Sequence, residues 1–454
     1  MFFQQVVHSD LGCASYVVGS SGSGECAVVD PRWEIEPYLE IAQSQGFRIT
    51  RVFETHTHAD HVSGHGRLAA ATGARIHVHR AAAVAYPHEP LEDGQIVEMG
   101  EVRIHVIHTP GHRPEHVALA VEDTERGAEP WIVLTGDSLL VGDVARPDLA
   151  VDGREGARLL FHSLHAKLAA LPEFAAVYPA HVAGSLCGRV NSNVSSTTLG
   201  YERRYNAAFR LEEEEGFVRF MNENLPQRPP NMGRIVETNR GPLVEGAQPS
   251  PRLTPEQAER LGADGCVLLD VRGTDDYLRG HVQGSIHVPV DGAQFGTRVG
   301  FVTPMDRGIV LVVAREQEAS AAANGLRAVA FDDLHGYLCF EDWRAERPVA
   351  SIASMEVDEL AARLQSSDGL RVLDVREPHE WDEGIIEGAL TIPYREVGSA
   401  DLSPNGAVTA VICNSGARSA IAASLLERRG AGEVVNVSGG MSGWQAAGLP
   451  VSRP

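Results

Sequence analysis

The sequence has little that would tie it to a polyanion, a membrane or an oxidising compartment. Basic residues are in deficit: 39 Lys and Arg against 61 Asp and Glu leave a formal charge of −22. Nucleic acid and anionic lipid both need basic patches, so neither is an expected partner. No apolar run is long enough to span a bilayer. The opening stretch MFFQQVVHSDLGCASYVV has no basic segment followed by an apolar block, so no secretion signal is expected. Cysteine is sparse: six in 454 residues, with no CxxC pair. That argues against a disulfide framework and for a reducing cytoplasm. What remains is an ordinary globular composition in a chain long enough for two to four domains. Such a chain suits small-molecule substrates. A homo-oligomer is left open.

Residues 1–245 read as mixed α/β. Short apolar strands (CAVVD, RIHVH, VRIHVIH, WIVLTGD) alternate with turn signals and helices. Residues 202–225 read as one helix ended by PQRPP, and 239–255 as a Pro/Gly-rich linker. Beyond the linker lies a duplication. VLLDVRGTDDYLRGHVQGSIHVPV (267–290) aligns without a gap on RVLDVREPHEWDEGIIEGALTIPY (371–394). Asp270 matches Asp374, Arg272 matches Arg376, and Gly280 matches Gly384. The repeat unit is domain-sized, so 252–350 and 352–454 read as two small α/β domains with parallel sheets.

The first domain concentrates metal-ligand chemistry. RVFETHTHADHVSG places His56, His58, Asp60 and His61 within six positions. Three further candidates follow apolar runs: His112 in IHTPGHRPEH, Asp137 in TGDS and His181 in YPAHVAG. In a layered α/β domain, strand ends converge on one edge of a sheet. Four loops leaving that edge can surround one point. Imidazole and carboxylate are the usual ligands of Zn, Fe and Mn. His65, His77, His79, His88, His105, His108 and His116 lack such support and read as structural or solvated.

THTHADH, the His112 loop, TGD and PAH together resemble the metallo-β-lactamase superfamily, over nearly all of residues 1–245. The resemblance implies an αββα sandwich with a metal site on one edge. It leaves two chemistries open. All seven candidates, bridged by Asp137, suit two Zn²⁺ in a glyoxalase II-like thioester hydrolase. Alternatively His56, His112 and Asp137 suit one Fe²⁺ as a two-histidine, one-carboxylate facial triad, with His58, Asp60, His61 and His181 around it or at a second metal. GDSLLVGDVARPDL (136–149) is similar to a segment of the persulfide dioxygenases, which implies that Arg146 binds the substrate thiol. An unrelated surface pairing of Arg146 with Asp148 is the bland alternative.

The second repeat carries AVICNSGARSAIAASLL (410–426). A strand ends at Cys413, a short loop follows, and a helix is expected from near Ser419. Inward N–H groups, the helix N-terminus and Arg418 should all favour a thiolate and hold a sulfur oxyanion. This pattern resembles the rhodanese family. The first repeat has Ala314 where that cysteine belongs, so it is expected to be inactive and structural. Cys13, Cys26, Cys187, Cys266 and Cys339 read as inert. Asp374 and Arg376 read as an ion pair, and Trp444 as packing. The whole resembles bacterial persulfide dioxygenase–rhodanese fusions. It implies Fe²⁺ as cofactor, and persulfide, O₂, sulfite and thiosulfate as small-molecule partners.

Overall fold

A computed structural model describes residues 1–453 apart from 9, 183–187, 189–193, 224, 226, 367–368 and 403–406. Cys187 lies outside the described residues. The chain divides into Met1–Gln248 with Arg327–Ala330, and Pro249–Leu326 with Phe331–Pro454. Among the described residues, no helix is long and apolar enough to cross a membrane.

The first unit is built on two sheets. β1 (Phe2–His8), β2 (Cys13–Ser20), β3 (Glu25–Val29), β4 (Arg48–Phe53), β5 (Arg75–His79) and β6 (Glu89–Leu91) are neighbours in chain order. So are β7 (Ile96–Met99), β8 (Val102–His108), β9 (Val117–Asp123), β10 (Ile132–Gly136), β11 (Ala176–Pro179) and β12 (Thr197–Thr198). Strand side chains alternate between faces. Tyr16, Val18, Val29 and Phe53 of one sheet therefore meet Ile104, Val106, Leu119 and Leu134 of the other. The outer face of the first sheet sets Val17, Val28 and Val52 against Tyr38, Ala42 and Leu68 of two helices. The outer face of the second sets Ala118, Ala120 and Val177 against Leu160, Leu164 and Phe217. This is the αββα sandwich expected from the sequence.

One helix was expected over 202–225, and the structure has two, Leu199–Tyr205 and Glu214–Met221. Asn206 makes the break. Its Oδ1 accepts the Ala208 N–H at 3.0 Å, and its Nδ2 donates to the Asp143 carbonyl at 3.0 Å. A local side-chain turn thus outcompetes the next helical turn.

The second unit contains both repeats. β13 (Val267–Asp270), β14 (Ile286–His287), β15 (Ile309–Val313) and β16 (Leu334–Cys339) form a parallel sheet in the order β14-β13-β15-β16. β17 (Ala353–Met355), β18 (Leu370–Asp374), β19 (Leu390–Thr391), β20 (Val408–Ile412) and β21 (Val434–Val437) take the matching order, β17-β21-β20-β18-β19, also parallel. The aligned ion pairs are equivalent too. Arg272 Nη2 donates to Asp270 and to the Gly280 carbonyl, at 2.6 and 2.8 Å. Arg376 Nη2 does the same to Asp374 and Gly384, both at 2.7 Å. Both pairs are buried, so each fastens its own strand, β13 or β18, to the turn after the following helix.

The first repeat also braces the second. The His287 N–H donates to Ser424 Oγ at 3.1 Å, and Arg428 donates to the Gly284 carbonyl at 2.8 Å. His281 Nε2 lies 2.8 Å from Glu427 Oε2. Ser424, Glu427 and Arg428 all belong to the helix Ala417–Arg428 that follows Cys413.

Candidate metal centre and sulfur-transfer loop

The sandwich delivers the candidates as strand ends. His56 follows β4, His112 follows β8, Asp137 follows β10 and His181 follows β11. All four are buried. His56, His112 and Asp137 each aim one ligand atom at a common point, with those atoms within 4.8 Å of one another. Asp137 Oδ2 is 3.2 Å from His112 Nε2 and 3.8 Å from His56 Nε2. None of these three atoms has a hydrogen-bond partner. Buried polar atoms are rarely left so.

Their orientations are set from behind. The His112 Nδ1–H donates to the Arg146 carbonyl at 2.8 Å, so Nε2 carries the lone pair. The Thr55 hydroxyl donates to Asp30 Oδ2 at 2.8 Å and accepts from His56 Nδ1 at 2.9 Å, which leaves His56 Nε2 bare. Burial, and then the neighbouring imidazoles, hold the His56 pKa well below its ordinary value. Burial also lowers that of His112. Both rings are therefore neutral, as ligands must be. Burial pushes the Asp137 carboxyl up, but His181 and His112 pull it further down, so it is ionised. The residues present fit a metal ion held by two imidazoles and a carboxylate.

The other candidates are brought close, and His58 Nε2, Asp60 Oδ1 and His61 Nε2 are likewise without hydrogen-bond partners. His58 Nε2 turns to Asp30 and Glu54, at 3.2 and 3.3 Å. His181 spans two carboxylates, with Nδ1 2.6 Å from Asp137 Oδ1 and Nε2 2.8 Å from Asp60 Oδ2. The same Asp60 oxygen lies 3.1 Å from His61 Nδ1. Arg146 is buried, with its guanidinium forked onto Asp148 at 2.7 and 2.9 Å.

Three participants escaped the sequence reading. Cys13, read as inert, points its thiol at Asp60 Oδ2 from 3.2 Å, beside His181. Nothing in its spacing links it to residues 47 positions away. Asp30 ends β3 just as Asp137 ends β10, and a strand-end carboxylate was a usable signal. His116, read as structural, takes the Asp137 N–H on Nε2 at 2.9 Å and donates from Nδ1 to Thr109 Oγ1 at 2.8 Å. Gly136, at φ +52°, makes room for it, since a Cβ there would lie 2.5 Å from His116 Nε2. His116→Phe keeps the bulk and removes both hydrogen bonds. We expect it to weaken metal binding about 10- to 100-fold, measured by competition with a chelator. An unchanged affinity would remove His116 from the supporting shell.

The second constellation lies at the end of β20. Cys413 is buried, and its Sγ accepts the Gly416 N–H at 3.1 Å, with Ser419 Oγ 3.5 Å away. The helix starts at Ala417, two residues earlier than expected, because Gly416 turns the chain at φ +104°. Gly440 backs the loop so closely that a Cβ would lie 2.3 Å from the Cys413 carbonyl oxygen. Trp444 is packed in the domain core, as expected. Arg418 is gripped by Glu380, with contacts of 2.6 and 2.7 Å. In the first repeat, Ala314 stands at the same strand end, and its N–H donates to Glu318 Oε2 at 2.9 Å.

The sequence model described as "Metallo-beta-lactamase superfamily" matches residues 8–181, and the rhodanese-like domain model matches 254–339 and 356–447. The human mitochondrial persulfide dioxygenase ETHE1 is 30% identical over 216 residues, covering 47% of this chain and 78% of that protein. The chain belongs to the metallo-beta-lactamase superfamily. Its N-terminal part is homologous to ETHE1, and its second unit is a pair of rhodanese-like domains. The superfamily also supplies a hydroxyacylglutathione hydrolase from Cereibacter sphaeroides, 35% identical over 162 residues, or 35% of this chain and 58% of that protein. A crystal structure of a metallo-beta-lactamase from Staphylococcus aureus subsp. aureus COL is 29% identical with a TM-score of 0.67. It spans 74% of this chain and 98% of that one.

Proposed function

We propose that this chain is a mononuclear non-haem iron persulfide dioxygenase coupled to a rhodanese sulfurtransferase. Its substrates are a low-molecular-weight persulfide and O₂, and its products are sulfite and thiol. The observation that carries the reading is the convergence of three buried atoms without hydrogen-bond partners, His56 Nε2, His112 Nε2 and Asp137 Oδ2. Held by His56, His112 and Asp137, Fe²⁺ would supply redox chemistry between a persulfide sulfur and O₂. The protein supplies the rest. Thr55, His116 and the Arg146 carbonyl hold the three ligands in register, and the buried walls exclude water. Arg146, fixed by Asp148, is the proposed contact for the substrate thiol.

Cys413 is the proposed sulfur carrier. Its thiolate attacks the outer sulfur of a persulfide, the thiolate RS⁻ leaves, and Cys413 keeps one sulfur as a persulfide. Sulfite then attacks that outer sulfur and leaves as thiosulfate, which restores the thiolate. The Gly416 N–H steadies the sulfur charge at both stages.

A second reading keeps the fold and changes the chemistry. Asp60, His61 and His181 cluster beside Asp137, and a hydroxyacylglutathione hydrolase is among the relatives. Two Zn²⁺ and thioester hydrolysis would then replace iron and O₂. Oxygen uptake by Fe²⁺-loaded protein given glutathione persulfide decides between them. We expect one O₂ consumed per sulfite formed. Thioester cleavage by Zn²⁺ protein, with no oxygen uptake, would establish the hydrolase instead.

A further inference from the structure

The loop that carries Cys413 is surrounded by arginines whose charge is already answered. Arg418 stands at the start of the helix Ala417–Arg428 that follows Cys413. Its two terminal nitrogens reach the two oxygens of Glu380, at 2.6 and 2.7 Å. Both side chains are largely shielded, at 19% and 17% exposure. Glu380 is itself held, because its Oε2 also accepts the Glu377 N–H at 2.8 Å. Burial raises the Glu380 pKa, but the Arg418 and Glu377 hydrogen bonds lower it more, so it stays charged. Arg376 is paired with Asp374 at 2.7 Å, and Arg395 with Glu377. Among the described residues, each of these three guanidinium groups of the domain therefore faces a carboxylate.

Besides Arg418, the Gly416 N–H and the helix N-terminus attract an anion at Cys413, and together they act as a partial charge. Partial charge suits a singly charged ligand. A dianion gains more than a monoanion from a full cation, and the loop's own guanidinium, Arg418, is paired with Glu380.

We propose that Glu380 determines donor specificity at Cys413: by holding Arg418, it makes the loop favour monoanionic organic persulfides (RSS⁻) over dianionic thiosulfate. This rests on the reading of Cys413 as a sulfur carrier. Glu380 acts through Arg418 and touches neither the sulfur nor the donor. With an organic persulfide the carrier step is RSS⁻ plus Cys413 thiolate giving RS⁻ plus the Cys413 persulfide. With thiosulfate the same bond forms, and sulfite leaves in place of RS⁻. The two donors differ by one unit of charge, and that difference makes the idea testable.

Glu380→Gln keeps the shape and one hydrogen bond to Arg418 while removing the charge. The full-length protein would be assayed with cyanide as sulfur acceptor and either 2-hydroxyethyl persulfide, whose one charge is on the persulfide, or thiosulfate as donor. Coulomb energy scales with ligand charge, so the logarithm of the KM shift should double from monoanion to dianion. We expect KM to fall about threefold for the persulfide and about tenfold for thiosulfate, with kcat within about twofold for both. Equal shifts for the two donors, or none, would overturn the proposal and reduce Glu380 to a structural role. Should the variant not fold, the wild-type protein decides through ionic strength. A neutralised loop gives a thiosulfate KM that is flat or falls with added salt. A KM that climbs steeply with salt reveals an uncompensated Arg418 and overturns the proposal. Cys413→Ser separates this failure from a failure of the carrier reading, since only the latter predicts sulfur transfer that survives loss of the thiol.

Discussion

His112→Ala is expected to purify with almost no metal, its affinity lowered by about a hundredfold or more. The loss has two sources. One of three ligands disappears, and the Arg146 carbonyl that orients it is left without its donor. Asp137 then faces a water-filled gap rather than an imidazole 3.2 Å away. Metal analysis after dialysis, compared with wild-type protein, is the direct measurement. It gives an answer whether the ion is iron or zinc, so it tests the ligand set separately from the chemistry. A variant with the full wild-type metal content would show that His112 is not a ligand. Oxygen uptake should vanish with the metal, while thiosulfate:cyanide sulfur transfer at Cys413 should survive.

The reverse pattern is expected of Cys413→Ser. Sulfur transfer should fall by at least about a thousandfold, because an alkoxide neither forms readily nor accepts sulfane sulfur. Metal content and oxygen uptake should stay at wild-type values. The first repeat is not expected to rescue it, since Ala314 stands where the cysteine would be and brings no sulfur. With persulfide and O₂ as substrates, sulfite should then accumulate in place of thiosulfate. Unchanged thiosulfate output would mean that another group carries the sulfur, and the two domains would have to be read as binding modules.

The sites differ in how far they were legible. The ligand types sat at strand ends in the sequence, and strand ends of a sandwich meet at one edge, so seven candidates could be named from pattern, while singling out His56, His112 and Asp137 among them rested on the family resemblance. The ion pairs of the two repeats were legible because duplication shows them twice. The partners that orient the ligands were not. His116 was dismissed although it lies four positions from His112, since its role depends on the backbone of Asp137 across a strand pairing. Cys13 and Asp60, or Glu380 and Arg418, are joined by chain reversals that leave no periodic trace.

The sequence by itself named the candidates at each site: the histidines and carboxylates of metal-ligand type, the cysteine in a rhodanese-like loop, and the repeat with Ala314 at that position. Those are properties of residue type and of local order along the chain. Tertiary structure alone decided how each group is used: that His58 leans toward Asp30 and Glu54, that His181 spans two carboxylates, and that Arg418 is claimed by Glu380. The physical reason is range. Ligand chemistry resides in a side chain, whereas lone-pair direction, charge balance and desolvation are set by neighbours that folding brings within about 3 Å.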